Sequence, residues 1–192
     1  MTPEDLKTYK EELGLYDDYP VIVAGSTHPT EEEKLFEAFT EVQKEFPRAR
    51  LLIAPRKPGR THEITRLAER FGLTVGLRSV LRDEKGQRPR YPVILIDTIG
   101  ELGRIYAVGD VVFVGGSLIN HGGHNVLEPA AHAKPIIVGP SMSNFKDSFS
   151  LLSKVGACVQ IRDTKELTAM FLTILRDDAL RKKMGDASIQ VI

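Results

Sequence analysis

The chain has 192 residues, 26 basic and 26 acidic side chains, a formal net charge of zero and 42 % hydrophobic residues. This is an ordinary composition for a globular protein, and no apolar run approaches the roughly 20 residues of a membrane span. The acidic start without an apolar segment predicts that there is no signal peptide. The single cysteine, Cys158, excludes an intrachain disulfide, and its apolar surroundings predict a packed thiol.

Charge is unevenly distributed along the chain. Residues 1–47 carry 4 basic and 12 acidic groups, residues 48–90 carry 12 basic and 4 acidic groups, and the remainder is balanced. The basic section is consistent with a face toward an anion, such as a phosphate or an acidic sugar, and equally with a solvated basic face. A nucleic-acid groove is disfavoured, because Phe71 is the single aromatic residue of that section that could stack on bases.

The first predicted elements are a strand over Val21–Gly25 and a helix over Pro29–Phe46. Thr30 is predicted as the N-cap of this helix, with Glu33 closing a capping box. The consecutive glutamates 31–33 are predicted to form a solvated helix N-terminus. Apolar residues recur at helical spacing and predict the buried stripe Leu35, Phe36, Phe39, Val42 and Phe46.

Strands and helices continue to alternate along the rest of the chain. Further strands are predicted in the segments RLLIAP, TVGLRS, VILID, VVFVGG, PIIVG and ACVQI. Further helices are predicted in HEITRLAERFG, TIGELGRIYAVG, HNVLEPAAHA, NFKDSFSLLSKVG and residues 163–189, whereas residues 80–92 predict a loop or weak hairpin. The strands are continuous runs of Val, Ile and Leu, which predicts a parallel sheet covered on both faces. We therefore expect one doubly wound, Rossmann-like α/β domain over residues 1–192, with its ligand at the carboxyl ends of the strands.

Five of the predicted strands are followed by polar loops, which would converge on that edge of the sheet. Gly122 and Gly123 could expose backbone N–H groups to an anion before a helix, and Asn125 and Glu128, three residues apart, could bind a ribose diol. Residues 98–102 start another helix, where free N–H groups could contact a base edge. The candidate substrate-binding residues are Ser26, Thr27, Arg56, Lys57, Thr98, Ile99, Gly100, Glu101, Gly122, Gly123, Asn125, Glu128, Asn144 and Lys146.

Each of these features also has a purely structural interpretation. The glycine pair could form only a tight turn, and Glu128 could be a partner of the helix dipole. His62 and His132 are predicted as surface or packing residues, and His121 and His124 lack an obvious third ligand, so no metal is predicted. The chain contains no GxxxxGK[ST] phosphate loop, no GxGxxG dinucleotide motif and no Asp-x-Asp pair.

Taken together, the segments GSTHPTEEE, PRKPGR, DTIGELGRIYAVGDVVFVGGSL, GGHNVLEPAAHAKPIIVGP and NFKD resemble the 3-deoxy-D-manno-octulosonic acid (Kdo) transferases of Gram-negative bacteria. The resemblance runs from about Val21 to the end of the chain. It implies the two-domain GT-B glycosyltransferase fold and inverting transfer of Kdo from CMP-Kdo to lipid A precursor. Two departures are minor: family members often have His at the position of Lys57 and Met at that of Ile99.

The resemblance extends to the C-terminal, donor-binding half of these enzymes alone. It implies that the acceptor surface, membrane attachment and general base belong to an N-terminal half outside this sequence, and that a final helix returning across the domains is missing. The fragment is then expected to be soluble, to contain no catalytic residue and to be inactive alone. The whole enzyme would lie on the cytoplasmic side of the bacterial inner membrane, with no cofactor, metal or nucleic-acid partner.

The resemblance also implies roles for the loop residues. Asn125 and Glu128 would bind the ribose and the phosphate region, while residues 98–100, helped by the backbone near Arg56, would contact cytosine. The phosphate and the Kdo carboxylate would be surrounded by Ser26, Thr27, Gly122, Gly123 and Lys146. Two alternatives stay open: the donor domain of another nucleotide-sugar enzyme, such as a UDP-sugar transferase or 2-epimerase, and a partner-binding α/β module without a nucleotide.

Overall fold

A computed structural model describes residues 1–16, 19–83 and 90–192 of the chain. Its strands are β1 (Val21–Thr27), β2 (Arg50–Pro55), β3 (Val75–Leu77), β4 (Val93–Leu95), β5 (Val111–Val114), β6 (Ile136–Val138) and β7 (Cys158–Gln160). They form one sheet in the order β3-β4-β2-β1-β5-β6-β7, and every neighbouring pair is parallel. The doubly wound α/β fold predicted from the sequence is confirmed.

Helices cover both faces of this sheet. They are α1 (Pro3–Glu12), α2 (Glu31–Glu45), α3 (Thr61–Arg70), α4 (Arg78–Asp83), α5 (Leu102–Ile105), α6 (Leu127–Ala130), α7 (Lys146–Lys154), α8 (Thr164–Arg176) and α9 (Asp178–Ile189). The last predicted helix is divided at Asp177, whose carboxylate accepts a hydrogen bond from the Leu180 N–H and caps α9. In the described part of the chain, no helix is long and apolar enough to cross a membrane.

Two helices were not predicted from the sequence. The first is α1, which begins with a capping box between Thr2 and Asp5. The second is α4, which replaces the predicted end of the third strand and the start of the loop at 80–92. The Ser79 N–H donates to the Asp97 carboxylate at 2.8 Å, a contact between distant residues that the local pattern could not indicate. Residues 84–89 of that predicted loop lie outside the described residues.

Apolar side chains pack against both faces of the sheet, because successive residues of a strand point to opposite sides. Ile22 and Ala24 of β1 belong to the layer beneath α2, α3 and α8, whereas Val21 and Val23 belong to the layer beneath α1 and α7. The predicted stripe of α2 is confirmed: its first four members are 0 % exposed, and Phe46 is half-buried against the same layer.

The start of α2 differs from its prediction. Thr30 adopts a left-handed conformation, with φ of 74°, and its side chain makes no cap hydrogen bond, so the predicted capping box with Glu33 is wrong. The predicted solvation of this terminus is also wrong for Glu31 and Glu32, which are 0 % exposed. Both carboxyls are instead covered by the loops that follow neighbouring strands.

The central strand β1 lies between β2 and β5, so the chain continues to one side of β1 first and to its other side later. Such a reversal leaves a crevice at the carboxyl ends of the central strands. The loops after β1, β2, β4 and β5 border this crevice.

Candidate functional site

A cavity of about 420 Å³ lies at the carboxyl ends of the central strands. Half of the predicted substrate-binding residues line it: Ser26, Arg56, Thr98, Ile99, Gly100, Asn125 and Glu128. Its remaining lining is mostly apolar and is contributed by Ala54, Pro55, Pro58, Ile96, Leu102, His124 and Phe145. An apolar cavity with a few convergent polar groups is typical of a small-molecule site.

The loop after β4 forms one wall of the cavity. Ile99 is 85 % exposed, and Gly100 has a positive φ of 84° that few other residues adopt without strain. Within the described part of the chain, no protein acceptor takes the backbone N–H groups of Ile99 and Gly100. These two donors are therefore available to a ligand with hydrogen-bond acceptors on a flat edge.

Glu101 does not line the cavity, although it belongs to the same loop. Its carboxylate accepts hydrogen bonds from Arg78 Nε at 3.0 Å and Nη2 at 2.9 Å, and a further one from the Thr98 hydroxyl. Burial raises the pKa of the Glu101 carboxyl, but the bonds from Arg78 and Thr98 outweigh burial and hold this pKa below its ordinary value. In this structure Glu101 positions the loop and has no contact with the cavity.

Arg78 connects this loop to the first helix. The guanidinium is 2 % exposed, and its Nη2 also donates to Glu12 of α1 at 2.9 Å. The ring of Tyr9 lies beneath it, 5.3 Å from Cζ to ring centroid. A buried arginine is retained only with such partners, so α1, α4 and the loop after β4 form one connected unit.

The opposite wall comes from the loop after β5. Asn125 Oδ1 accepts from the Leu127 N–H at 3.0 Å, and Asn125 Nδ2 donates to the Glu128 carboxylate at 3.3 Å. Glu128 is exposed on the first turn of the short α6 and faces the cavity. The two side chains are thus hydrogen-bonded to each other at the cavity, with Asn125 holding the carboxylate in place.

The backbone N–H groups of the glycine pair before α6 donate hydrogen bonds within the protein. Gly122 N–H donates to Ser141 Oγ at 2.9 Å, and Gly123 N–H donates to the Gly116 carbonyl at 2.9 Å. The Asn144 amide donates to the His121 carbonyl at 2.9 Å, which joins this loop to the one after β6. The expectation that the two glycine N–H groups are exposed to an anion is wrong, because both have acceptors within the protein.

The loop after β1 approaches the loop after β5 closely. Ser26 has a left-handed φ of 55°, and a Cβ on Gly115 would meet its carbonyl oxygen at 2.2 Å. Ser26 reaches the cavity, whereas Thr27 is 0 % exposed and does not. Arg56, Lys57 and Lys146 are exposed, and Arg56 alone of the three lines the cavity.

The buried Glu31 carboxylate lies behind this wall. Oε1 accepts from the N–H groups of His28 at 3.1 Å and Gly116 at 2.7 Å, and Oε2 accepts from the Leu118 N–H at 3.1 Å. Burial raises the pKa of the Glu31 carboxyl, and the N–H donors oppose that rise. Glu31 thus fastens the loops after β1 and β5 to each other.

Three imidazoles meet above this carboxylate. His28, His121 and His124 each present one ring nitrogen, and these atoms lie within 4.8 Å of one another. Burial, together with the neighbouring imidazoles and Arg56, lowers the pKa of His124 to about 4, and similar causes lower the pKa of His28. The third imidazole that the sequence did not reveal is His28, which lies 96 positions before His124.

Comparison with known proteins shows which proteins the chain is similar to. No protein-family model matches it. A 3-deoxy-D-manno-octulosonic acid transferase of Haemophilus influenzae is 34 % identical over 178 residues, which are 91 % of this chain and 40 % of the relative. The same-named protein of Bordetella pertussis is 36 % identical over 172 residues, 88 % of this chain and 40 % of the relative. The C-terminal CMP-Kdo binding domain of WaaA from Acinetobacter baumannii superimposes with a TM-score of 0.88 at 26 % identity, over 98 % of this chain and 96 % of that domain.

The chain is a homologue of the Kdo transferases. It spans about 40 % of the length of the curated Kdo transferases that it matches. More distant structures share the fold alone, such as Anabaena Alr3699/HepE in complex with UDP-glucose, with a TM-score of 0.72 at 14 % identity over 48 % of that chain. The predicted resemblance to the donor-binding half of a Kdo transferase is confirmed, and so is the GT-B half-domain.

In this Kdo transferase homologue, three residues that hold the site together were not predicted to belong to it. They are Glu31, Arg78 and His28, and each acts through partners that are distant in the sequence: Gly116 is 85 positions from Glu31, and Glu12 is 66 positions from Arg78. The motif GSTHPTEEE contains two of them, so the motif itself was the available signal.

Proposed function

We propose that this chain is the CMP-Kdo-binding domain of an inverting glycosyltransferase that moves Kdo onto lipid A precursor in lipopolysaccharide biosynthesis. The observation that carries the proposal is the cavity at the carboxyl ends of the strands, lined by seven of the residues that the family motifs singled out. Its volume of about 420 Å³ lies within the range of pockets that bind small molecules such as nucleotides.

The two walls of the cavity supply complementary groups for a nucleotide. On one side, the N–H groups of Ile99 and Gly100, which no acceptor in the described residues takes, can donate to the O2 and N3 acceptors of cytosine. On the other side, the exposed Glu128 carboxylate can accept from both hydroxyls of a ribose, while Asn125 holds it. The loop after β4 thus distinguishes the base, and the turn at α6 binds the sugar.

Cationic groups border the cavity where the phosphate and the Kdo carboxylate would lie. Arg56 lines it, and Lys57 and Lys146 are exposed on the adjoining loops. These charges, together with the Ser26 hydroxyl, would stabilise the negative charge that builds up on CMP as it leaves. In this proposal the leaving phosphate requires no metal.

The other groups needed for turnover belong to the remainder of the parent enzyme in this proposal. A donor domain supplies neither the acceptor surface nor the general base that activates the attacking hydroxyl. The lipid acceptor and the inner-membrane location on the cytoplasmic side likewise belong to the two-domain enzyme. We expect this chain alone to bind CMP or CMP-Kdo and to transfer nothing.

The test is a titration of the purified 192-residue chain with CMP, UMP and AMP, followed by amide chemical shifts and melting temperature. We expect a saturable response to CMP, with shifts concentrated at residues 98–100 and 125–128. Glu128→Ala and Asn125→Ala should each weaken it by about tenfold or more, since each removes about 1.5–3 kcal/mol of charge-assisted hydrogen bonding.

Glu37→Ala is the matched control, because Glu37 is an equally exposed helical carboxylate in the middle of α2. It should leave CMP binding unchanged. A stronger response to UMP than to CMP would refute the cytidine assignment and favour a UDP-sugar enzyme. If no nucleotide produces a response, even at millimolar concentration, the cavity does not bind nucleotides in this chain and a partner-binding module becomes the better interpretation.

A further inference from the structure

The nucleotide binding proposed above assigns no role to the three clustered imidazoles, one of which, His124, also lines the cavity. His28 follows β1, and His121 and His124 belong to the loop after β5, so three side chains from two loops converge at one point. The His28 and His124 rings are stacked at an interplanar angle of 5°, with Nε2 atoms 2.7 Å apart. The His121 ring lies 4.3 Å from that of His28 and 5.0 Å from that of His124, measured between centroids.

Hydrogen bonding alone does not explain this arrangement. One N–H···N bond can join the rings of His28 and His124, but among the described residues the His121 ring has no hydrogen-bond partner. Tetrahedral zinc with Zn–N bonds of about 2.0–2.1 Å places two ligand nitrogens roughly 3.3 Å apart. The ring nitrogens here lie within 4.8 Å of one another, and one pair lies at 2.7 Å, so each separation differs from the tetrahedral value by about 1.5 Å or less.

The backbone around the cluster is built to admit it. Gly116 has a φ of 68°, and a Cβ at this position would meet His124 Cδ2 at 2.8 Å and His121 Cδ2 at 3.0 Å. Only glycine leaves room for the two rings to pack here. The Gly116 N–H is in turn held by the Glu31 carboxylate, which also accepts from the His28 N–H. The same buried group therefore holds the backbone at His28 and at Gly116, the glycine against which the other two rings pack.

The local charge also has to permit a cation. Arg60 is paired with Glu32 at 2.6 Å and Glu63 at 3.0 Å, and the Glu31 carboxylate accepts a hydrogen bond from the backbone N–H of His28. Arg56 and Lys57 are exposed, so water and salt screen their repulsion. His121 is exposed as well, which leaves an open position for water or an anionic ligand, as in zinc sites with three protein ligands.

We propose that His28, His121 and His124 form a site for a divalent transition-metal ion, with Zn²⁺ as the ion that best fits three imidazoles and an open fourth position. The site binds the metal in its own right and does not depend on the proposed nucleotide function. It replaces the sequence-based expectation that no metal binds, because that expectation depended on the lack of a third ligand.

The test uses the 192-residue chain, without a polyhistidine tag and freed of metal with a chelator. It is titrated with Zn²⁺ by calorimetry and with Co²⁺ by visible absorption, in the absence of nucleotide. We expect one Zn²⁺ per chain, and a Co²⁺ spectrum typical of a four-coordinate site with three nitrogen ligands and one oxygen ligand. His28→Ala, His121→Ala and His124→Ala should each weaken binding more than about 100-fold, since losing even an outer partner of a ligand costs roughly 10–100-fold.

His62→Ala and His132→Ala are the matched controls, because the exposed His62 and the partly buried His132 complete the five histidines in the chain and lie outside the cluster. Both should bind Zn²⁺ like the native chain. His121→Ala decides the matter if the other cluster variants unfold, because His121 is exposed and its removal disturbs packing least. The proposal is overturned if Zn²⁺ shows no saturable binding, or if His121→Ala binds it as tightly as the native chain. Since no nucleotide is present, either result leaves CMP binding to its own experiment.

Discussion

The buried Glu31 carboxylate provides the sharpest test of how the site is held together. Glu31→Gln keeps the shape of the side chain and changes its hydrogen bonding. The remaining carbonyl oxygen can still accept from the N–H groups of His28 and Gly116, but the new amide NH₂ then faces the Leu118 N–H, donor against donor. The variant therefore loses an acceptor in a place that water does not reach.

The size of this effect follows from the number of bonds changed. One buried N–H left without an acceptor costs about 1–3 kcal/mol, and bonds that remain to a neutral amide are weaker than bonds to a carboxylate. We expect the free energy of unfolding to fall by about 2–4 kcal/mol. For a chain of this length, that corresponds to a melting temperature lower by roughly 5–12 °C.

The assay is urea denaturation at neutral pH, followed by circular dichroism, with Glu33→Gln as the control. Glu33 lies on the same turn of α2 and is exposed, so its variant should stay within about 0.5 kcal/mol of the native chain. If Glu31→Gln is equally stable, the reasoning is refuted. Glu31 would then be protonated in the native protein, in line with the way burial raises its pKa, and an amide would replace it without loss.

Glu101, Cys158 and Gly115 provide further tests. The pKa of Glu101 is lowered in the folded chain, so the unfolded chain takes up protons first as the pH falls. We therefore expect the free energy of unfolding to decrease below about pH 5. Melting curves measured across this range should show a smaller decrease for Glu101→Gln than for the native chain. Burial raises the pKa of the Cys158 thiol to about 12, so mass spectrometry should detect alkylation at about pH 8 in urea and none in the native chain. Gly115→Ala forces a Cβ against the Ser26 carbonyl and should cost about 2 kcal/mol or more in unfolding experiments, whereas Gly103→Ala, with open space around it, should not destabilise the chain.

Local patterns were sufficient for the sheet and for the position of the site. Continuous Val, Ile and Leu runs predict buried parallel strands, and the rule that ligands bind at carboxyl ends then brings Arg56, Thr98 and Glu128 to one edge. All three line the cavity. The stripe of α2 was equally predictable, because it depends on helical spacing within a single segment.

The burial of charged side chains could not be predicted from local sequence patterns. Glutamates in a first helical turn usually face solvent and the helix dipole, so nothing near Glu31 or Glu32 indicates burial. Their partners come from elsewhere: the N–H groups after β5 bind Glu31, and Arg60 binds Glu32 at 2.6 Å. The acidic and basic sections of the sequence are joined in the fold by two ion pairs, since Arg60 and Arg78 of the basic section pair with Glu32 and Glu12 of the acidic one.

The guanidinium of Arg78 has a consequence for how this domain responds to force. It donates hydrogen bonds to Glu12 of α1 and to Glu101 of the loop after β4. The Glu101 carboxylate also accepts a hydrogen bond from Thr98, which lines the cavity. We therefore expect a displacement of α1 to reach the cavity wall through two ion pairs and one hydroxyl, in addition to the packing of α1 on the sheet. The residues before the sheet are therefore expected to influence the shape of the pocket, although none of them belongs to the motifs that indicated the pocket.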